Sequence, residues 1–110
     1  LEGIGAQLRT ESEYTKVVNV IAGGPAAKSG LIKAEDKIIG VGQGDSGEIE
    51  DVIGWRIDDV VAKIRGKKGT AVRLLVVRGE LGEVKPDTIM LTREKVKLEE
   101  QAAKKAGETA

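Results

Sequence analysis

Apolar residues recur at every second position over much of this chain and at helical spacing in one stretch, which predicts a mainly β protein with few helices. Ala6-Gln7-Leu8 alternates apolar, polar, apolar and reads as a half-buried strand. A polar run from Arg9 to Glu13 leads through Tyr14 into Thr15-Lys16-Val17-Val18-Asn19-Val20-Ile21, whose β-branched content predicts a second strand and so a hairpin with a charged connection. Ala22-Gly23-Gly24-Pro25 stops that strand. Pro25 suits the first position of a short helix over Ala26 to Ser29, Gly30 the left-handed position after it, and Leu31 a fold-back onto it. After a charged turn, the continuous apolar run Ile38-Ile39-Gly40-Val41 predicts a strand buried on both faces or at a crossing. Gly42 to Glu48 is loop by composition, the expected mobile or variable part.

A short strand is expected within Ile49 to Ile53, and then the period changes. Ile57, Val60, Val61 and Ile64 fall at i, i+3, i+4, i+7, with Asp58 and Asp59 in the first turn where acidic groups favour the helix dipole, and Gly66 as the stop. No Ser, Thr, Asn or Asp occupies the position expected to cap it. A basic turn, Gly66-Lys67-Lys68-Gly69, precedes Thr70 to Arg78, read as the longest strand. A polar connection with Gly79, Gly82, Pro86 and Asp87 returns the chain as Thr88-Ile89-Met90-Leu91-Thr92. Beyond Arg93, Lys95-Val96-Lys97-Leu98 alternates as a strand would, and Glu99 to Ala106 holds good helix formers without a sustained apolar face. Residues 1–92 thus read as the folded unit and 93–110 as a connector, ordered only where it touches a neighbour.

Composition narrows the function. At 110 residues the chain fits one domain with its own core. Aromatics are 2% of residues, so stacking platforms for single-stranded nucleic acid are missing, and a formal charge of zero gives no broad cationic field for phosphate backbones or anionic lipid. With no Cys and no His, disulfides, the usual zinc sites and histidine-based catalysis are excluded, and no metal or cofactor is expected. No apolar run approaches membrane-spanning length, so no insertion into a bilayer is expected. The chain opens within a motif, as a piece of something longer would.

That motif is Gly3-Ile4-Gly5-Ala6. Glycines on both sides of one apolar residue permit positive φ and can leave successive N–H groups pointing into one space, a nest for an anion. A phosphate loop would run into a helix, and a dinucleotide fingerprint would need a glycine where Leu8 stands, so a carboxylate is the expected guest. An ordinary turn is the alternative reading of the same residues.

Taken in order, Gly3-Ile4-Gly5-Ala6, Pro25-Ala26-Ala27-Lys28-Ser29-Gly30-Leu31 and Asp36-Lys37-Ile38-Ile39-Gly40-Val41 resemble the carboxylate-binding loop, helix entry and following strand of a PDZ domain. The edge strand that common animal modules place before the loop would here come from Thr88 to Thr92, the circularly permuted arrangement. The chain is similar in this to the PDZ domain of bacterial carboxyl-terminal processing proteases. Gly23-Gly24-Pro25-Ala26-Ala27, the run from Asp51 to Val61 and Leu91-Thr92-Arg93-Glu94 look like the periplasmic tail-specific branch. Glu35 departs from the pattern, standing where the family often has Gly, and Ala6 is small where animal modules often place an aromatic.

The resemblance implies a PDZ-like, partly open antiparallel β-barrel or sandwich with one short and one longer helix. It implies a non-catalytic module that binds C-terminal peptides by strand addition, with Gly3, Ile4, Gly5 and Ala6 on the carboxylate and Gln7, Leu8, Ile57, Val61 and Ile64 lining the groove. Ile4, Ala6, Leu8 and Ile64 would line an apolar pocket for the last side chain. The implied partners are apolar tails of substrate proteins and a covalently linked Ser/Lys protease domain, and the implied location is the bacterial periplasm. The alternative is a scaffolding module whose groove is filled by its own tail or a partner's strand.

Overall fold

The computed structural model describes residues 2–78, 86–95 and 108–110. The opening hairpin pairs β1 (Ala6–Glu11) with β2 (Tyr14–Val20), Glu11 standing opposite Tyr14. β1 runs three residues beyond its apolar start: Arg9, Thr10 and Glu11 are exposed, and backbone pairing alone carries them. Helix α1 (Pro25–Ser29) has Pro at its start and ends at Gly30, whose φ of 68 is left-handed. Then follow β3 (Lys37–Gln43), β4 (Ile49–Asp51), α2 (Ile57–Ile64), β5 (Ala71–Val77), β6 (Asp87–Thr92) and the two-residue β7 (Glu108–Thr109).

These strands form one antiparallel sheet in the order β6-β5-β3-β2-β1-β7, with β4 on β3. The sheet stays open, with β6 and β7 at its ends, and does not close into a barrel. β3 sits at its crossing, pairing with β2, β4 and β5, and Gly40, Val41 and Gly42 are all buried. Space explains the glycines: a Cβ at Gly40 would lie 2.7 Å from the Ile49 side chain. The core joins Leu8, Val17, Ile38, Val41, Val72 and Leu74 of the sheet to Val60 and Ile64 of α2. Each fully buried aliphatic side chain contributes roughly 1.5–3 kcal/mol.

Several expectations are corrected. Leu31 does not fold back on α1. It is exposed, its carbonyl accepts from the Arg78 guanidinium, and the next residue, Ile32, enters the core. β5 is no longer than β2 or β3, since each has 7 residues. Gly42 and Gln43 belong to β3, and the turn after them is gathered by Arg73, which donates to the carbonyls of Gln43, Gly44, Ser46 and Gly47. Gln7 does not face solvent on the polar side of an alternating strand but is buried with Ala6 and Leu8. Arg93 opens the stretch read as a connector. It is 3% exposed and knits β6 to the end of α2. Gly79, Gly82, the expected strand through Leu98 and the helix formers from Glu99 to Ala106 lie outside the described residues.

The turn before β3 carries the residue that departs from the family pattern. Glu35 takes φ 80, a conformation that favours glycine. Asp36 holds the same turn from inside, accepting from the Lys33 N–H at 3.0 Å and from Arg78 Nε at 3.3 Å. Lys16 Nζ reaches both Glu11 (3.1 Å) and Glu35 (3.0 Å). The hydrogen bond to Glu35 raises the Lys16 pKa above its ordinary value, and the same contact lowers that of Glu35.

Candidate functional site

The glycine loop at residues 3–5 is held by backbone from three elements. Beyond α2, Gly66 exchanges two hydrogen bonds with Glu2, at 2.8 and 2.9 Å. Beyond β6, the Glu94 N–H donates to the Gly3 carbonyl at 3.0 Å. In α1, the Ala26 N–H donates to the Ile4 carbonyl at 2.9 Å, and Gly24 packs so closely that a Cβ there would lie 3.1 Å from the Gly5 Cα. With its carbonyls so engaged and Gly5 at φ 77, the loop turns its next two N–H groups to the space between β1 and α2.

Residues 108–110 lie in that space. β7 runs antiparallel to β1 with Thr109 opposite Gln7 and Glu108 opposite Leu8. The Ala110 N–H donates to the Ala6 carbonyl at 2.8 Å, and the Ala110 carbonyl oxygen accepts from Gly5 N–H (2.9 Å) and Ala6 N–H (3.0 Å). On the helix side, Arg65 Nη2 donates to the Thr109 carbonyl at 2.7 Å. Ala110 is 2% exposed and part of the core cluster, with Ile4, Ala6, Leu8, Val61 and Ile64.

Gly5 and Ala6 thus present their N–H groups, while Gly3 leaves room: a Cβ there would stand 2.5 Å from the Ala110 carbonyl carbon. Ile4 offers its buried side chain, and its carbonyl is committed to α1. Ala6, Leu8, Val61 and Ile64 are buried along the groove, and Gln7 is buried opposite Thr109. Ile57 stands apart, half-buried at the far end of α2, where it borders a cavity of about 480 Å³ that reaches Thr10 of β1.

Sequence reasoning missed Arg65 and Arg93. Arg65 follows the last helical residue, and no periodicity marks a polar residue at a helix end as a groove contact. Arg93 donates to Ile64 O (2.7 Å), Thr70 Oγ1 (2.9 Å), Ala71 O (3.1 Å), Gln43 Oε1 (2.6 Å) and Lys63 O (3.2 Å), satisfying carbonyls that the helix end leaves open. Burial lowers its pKa from the ordinary guanidinium value. Gly66 stops α2 for another reason than expected: Arg65 is already extended at φ −74, and a Cβ on Gly66 would lie 2.7 Å from the Arg93 guanidinium carbon. Among the described residues no three His, Cys, Asp or Glu side chains group as metal ligands, and no helix is long and apolar enough to cross a membrane.

The chain matches the PDZ domain family over residues 1–77. It is 49% identical over 104 residues to the tail-specific protease of Haemophilus influenzae, and 41% identical over 92 residues to the carboxy-terminal processing protease CtpA of Bacillus subtilis. Those alignments take in 94% and 80% of this chain but 14% and 18% of the relatives, so the chain spans less than a fifth of either. The crystal structure of the PDZ domain of a carboxy-terminal protease from Vibrio cholerae, solved in complex with peptide, superposes with a TM-score of 0.82 at 46% identity, covering 89% of this chain and 98% of that one. An open antiparallel sheet, two helices and a glycine loop facing a strand-filled groove agree with these matches: the chain belongs to the PDZ domain family, in the form found in bacterial carboxyl-terminal processing proteases.

Proposed function

We propose that the module reads apolar C-terminal tails and presents or gates them for the serine protease domain of a parent enzyme in the bacterial periplasm. What supports this reading is the seating of Glu108–Ala110: an added strand on β1, its last carbonyl oxygen on two loop N–H groups, its last side chain in an apolar pocket. A free carboxylate in that position would add a charged acceptor. Hydrogen bonds to charged groups are worth about 1.5–3 kcal/mol each, enough to separate a chain end from an internal peptide bond. Ile4, Ala6, Leu8 and Ile64 offer the last side chain no polar partner, so an apolar residue is favoured there. Val61 extends the apolar preference to the next inward position. The module positions substrate, and hydrolysis is assigned to the linked domain with its Ser/Lys dyad.

Titration with a fluorescent apolar peptide tests the reading, the free C-terminus being compared with its amide. Preference for the free acid is expected, and equal binding refutes it.

The same seating favours a second reading, in which the groove is closed by residues 108–110 of the chain itself. Tethering gives such a segment an effective concentration in the millimolar range, above the micromolar affinities usual for short peptides. Ala110→Asp, which drives a charge into the pocket, separates the two. Peptide affinity rises if the segment competes and stays constant if it does not.

A further inference from the structure

We infer, building on the tail-reading function, that the groove carries an upstream subsite at Trp55 which takes a large apolar or aromatic side chain five residues from the end of the bound peptide. The register supplies the count. Thr109 stands opposite Gln7 and Glu108 opposite Leu8, so continuing the same strand places the fifth residue from the end opposite Thr10. Side chains alternate along a strand, so this residue shares the face of the last one, which points into the core.

The helix measures the same length. Arg65 touches Thr109, and Ile57 lies eight residues earlier, roughly 12 Å along the helix axis. Three strand residues back from the penultimate one cover roughly 10 Å. The fifth residue therefore comes level with Ile57 and the residues just before the helix.

A cavity of about 480 Å³ is formed there, with Thr10 and Glu13 on one side and Trp55, Arg56, Ile57 and Asp58 on the other. Gly54 N–H donates to the Glu13 carbonyl at 2.7 Å and ties the two sides together. Trp55 is half-buried, one part of it against the core, and it is the chain's single tryptophan. Arg56 offsets one of the two carboxylates of Glu13 and Asp58, leaving a slight negative balance. Contact with the indole and Ile57 thus favours a flat apolar side chain, and an acidic one is disfavoured.

Octapeptides with a free C-terminus, identical in their last four residues and carrying Phe, Gly or Glu at the fifth from the end, test this against the full chain. Competition from residues 108–110 scales all three affinities alike. Phe is expected to bind roughly tenfold tighter than Gly, and Glu more weakly than Gly. The Phe octapeptide should also shift the Trp55 emission, and the tetrapeptide of the same last four residues should not. In Trp55→Leu the Phe preference should fall below threefold with the tetrapeptide affinity unchanged. Phe and Gly peptides binding within twofold, with the free acid still preferred over the amide, overturn the subsite and leave the groove standing. Loss of the acid preference refutes the groove reading instead. The emission readout needs no variant, so the test survives a Trp55 substitution that fails to fold.

Discussion

Gly3→Ala should empty the groove without unfolding the domain. Gly3 is outside the left-handed region of backbone, so alanine meets no conformational strain there. Its Cβ, however, would stand 2.5 Å from the carbonyl carbon of Ala110 and 3.0 Å from its oxygen, where carbon atoms normally approach to about 3.5–4.0 Å. The occupant must retreat by about 1 Å. The hydrogen bonds from Gly5 and Ala6, now 2.9 and 3.0 Å, would then lengthen beyond useful range. In a bound free-acid peptide the same two bonds are charge-assisted, and losing them at the low end of their worth is about 3 kcal/mol, or roughly 100-fold in affinity. Isothermal titration with an apolar, free-acid peptide should show that loss, while circular dichroism keeps the wild-type spectrum and a melting temperature within a few degrees. Undiminished affinity in a folded Gly3→Ala chain would refute the placement of the chain end against the loop.

Three further outcomes follow from particular contacts. Arg65→Ala removes the bond to the Thr109 carbonyl and should weaken peptide binding about fivefold by titration, with the melting temperature unchanged. Arg93→Met strips five donor contacts from buried and part-buried carbonyls and side chains and should cost about 2–4 kcal/mol in urea unfolding; Gly66→Ala, which pushes on the same guanidinium, should cost clearly less once Arg93 is gone. The Lys16–Glu35 contact makes a pH-dependent contribution with two edges. Glu35 has its folded pKa below the ordinary 4.5, so its share is present above that value and is lost as the pH falls through the folded pKa. Lys16 has its folded pKa above 10.5, so its share is complete below 10.5 and is lost as the pH rises through the folded value. The melting temperature of wild type minus that of Lys16→Met should therefore be largest between those edges and close at both extremes.

The sequence by itself determined the elements whose cause is local. Period-two alternation and β-branching specify β2, β5 and β6, a continuous apolar run specifies β3, and the i, i+3, i+4, i+7 stripe specifies α2, because each pattern encodes which faces of an element meet a core. Pro25 and Gly30 bound α1 through their own backbone limits, and Glu35 occupies a left-handed turn where glycine is the expected residue. Tertiary structure decided what depends on neighbours distant in the chain. Gln7 is buried although its alternation points outward, and Arg93 is interior although it follows the last strand of the hairpin. Gly66 is glycine because a guanidinium from residue 93 passes over it, a reason that no local propensity contains. The groove itself is of this kind: the glycine motif is legible at residues 3–5, but the direction of its N–H groups is set by hydrogen bonds from residues 26, 66 and 94, and its helix-side contact comes from Arg65. Backbone carbonyls must be satisfied wherever the chain closes on itself, and that requirement chose partners the linear sequence could not pair.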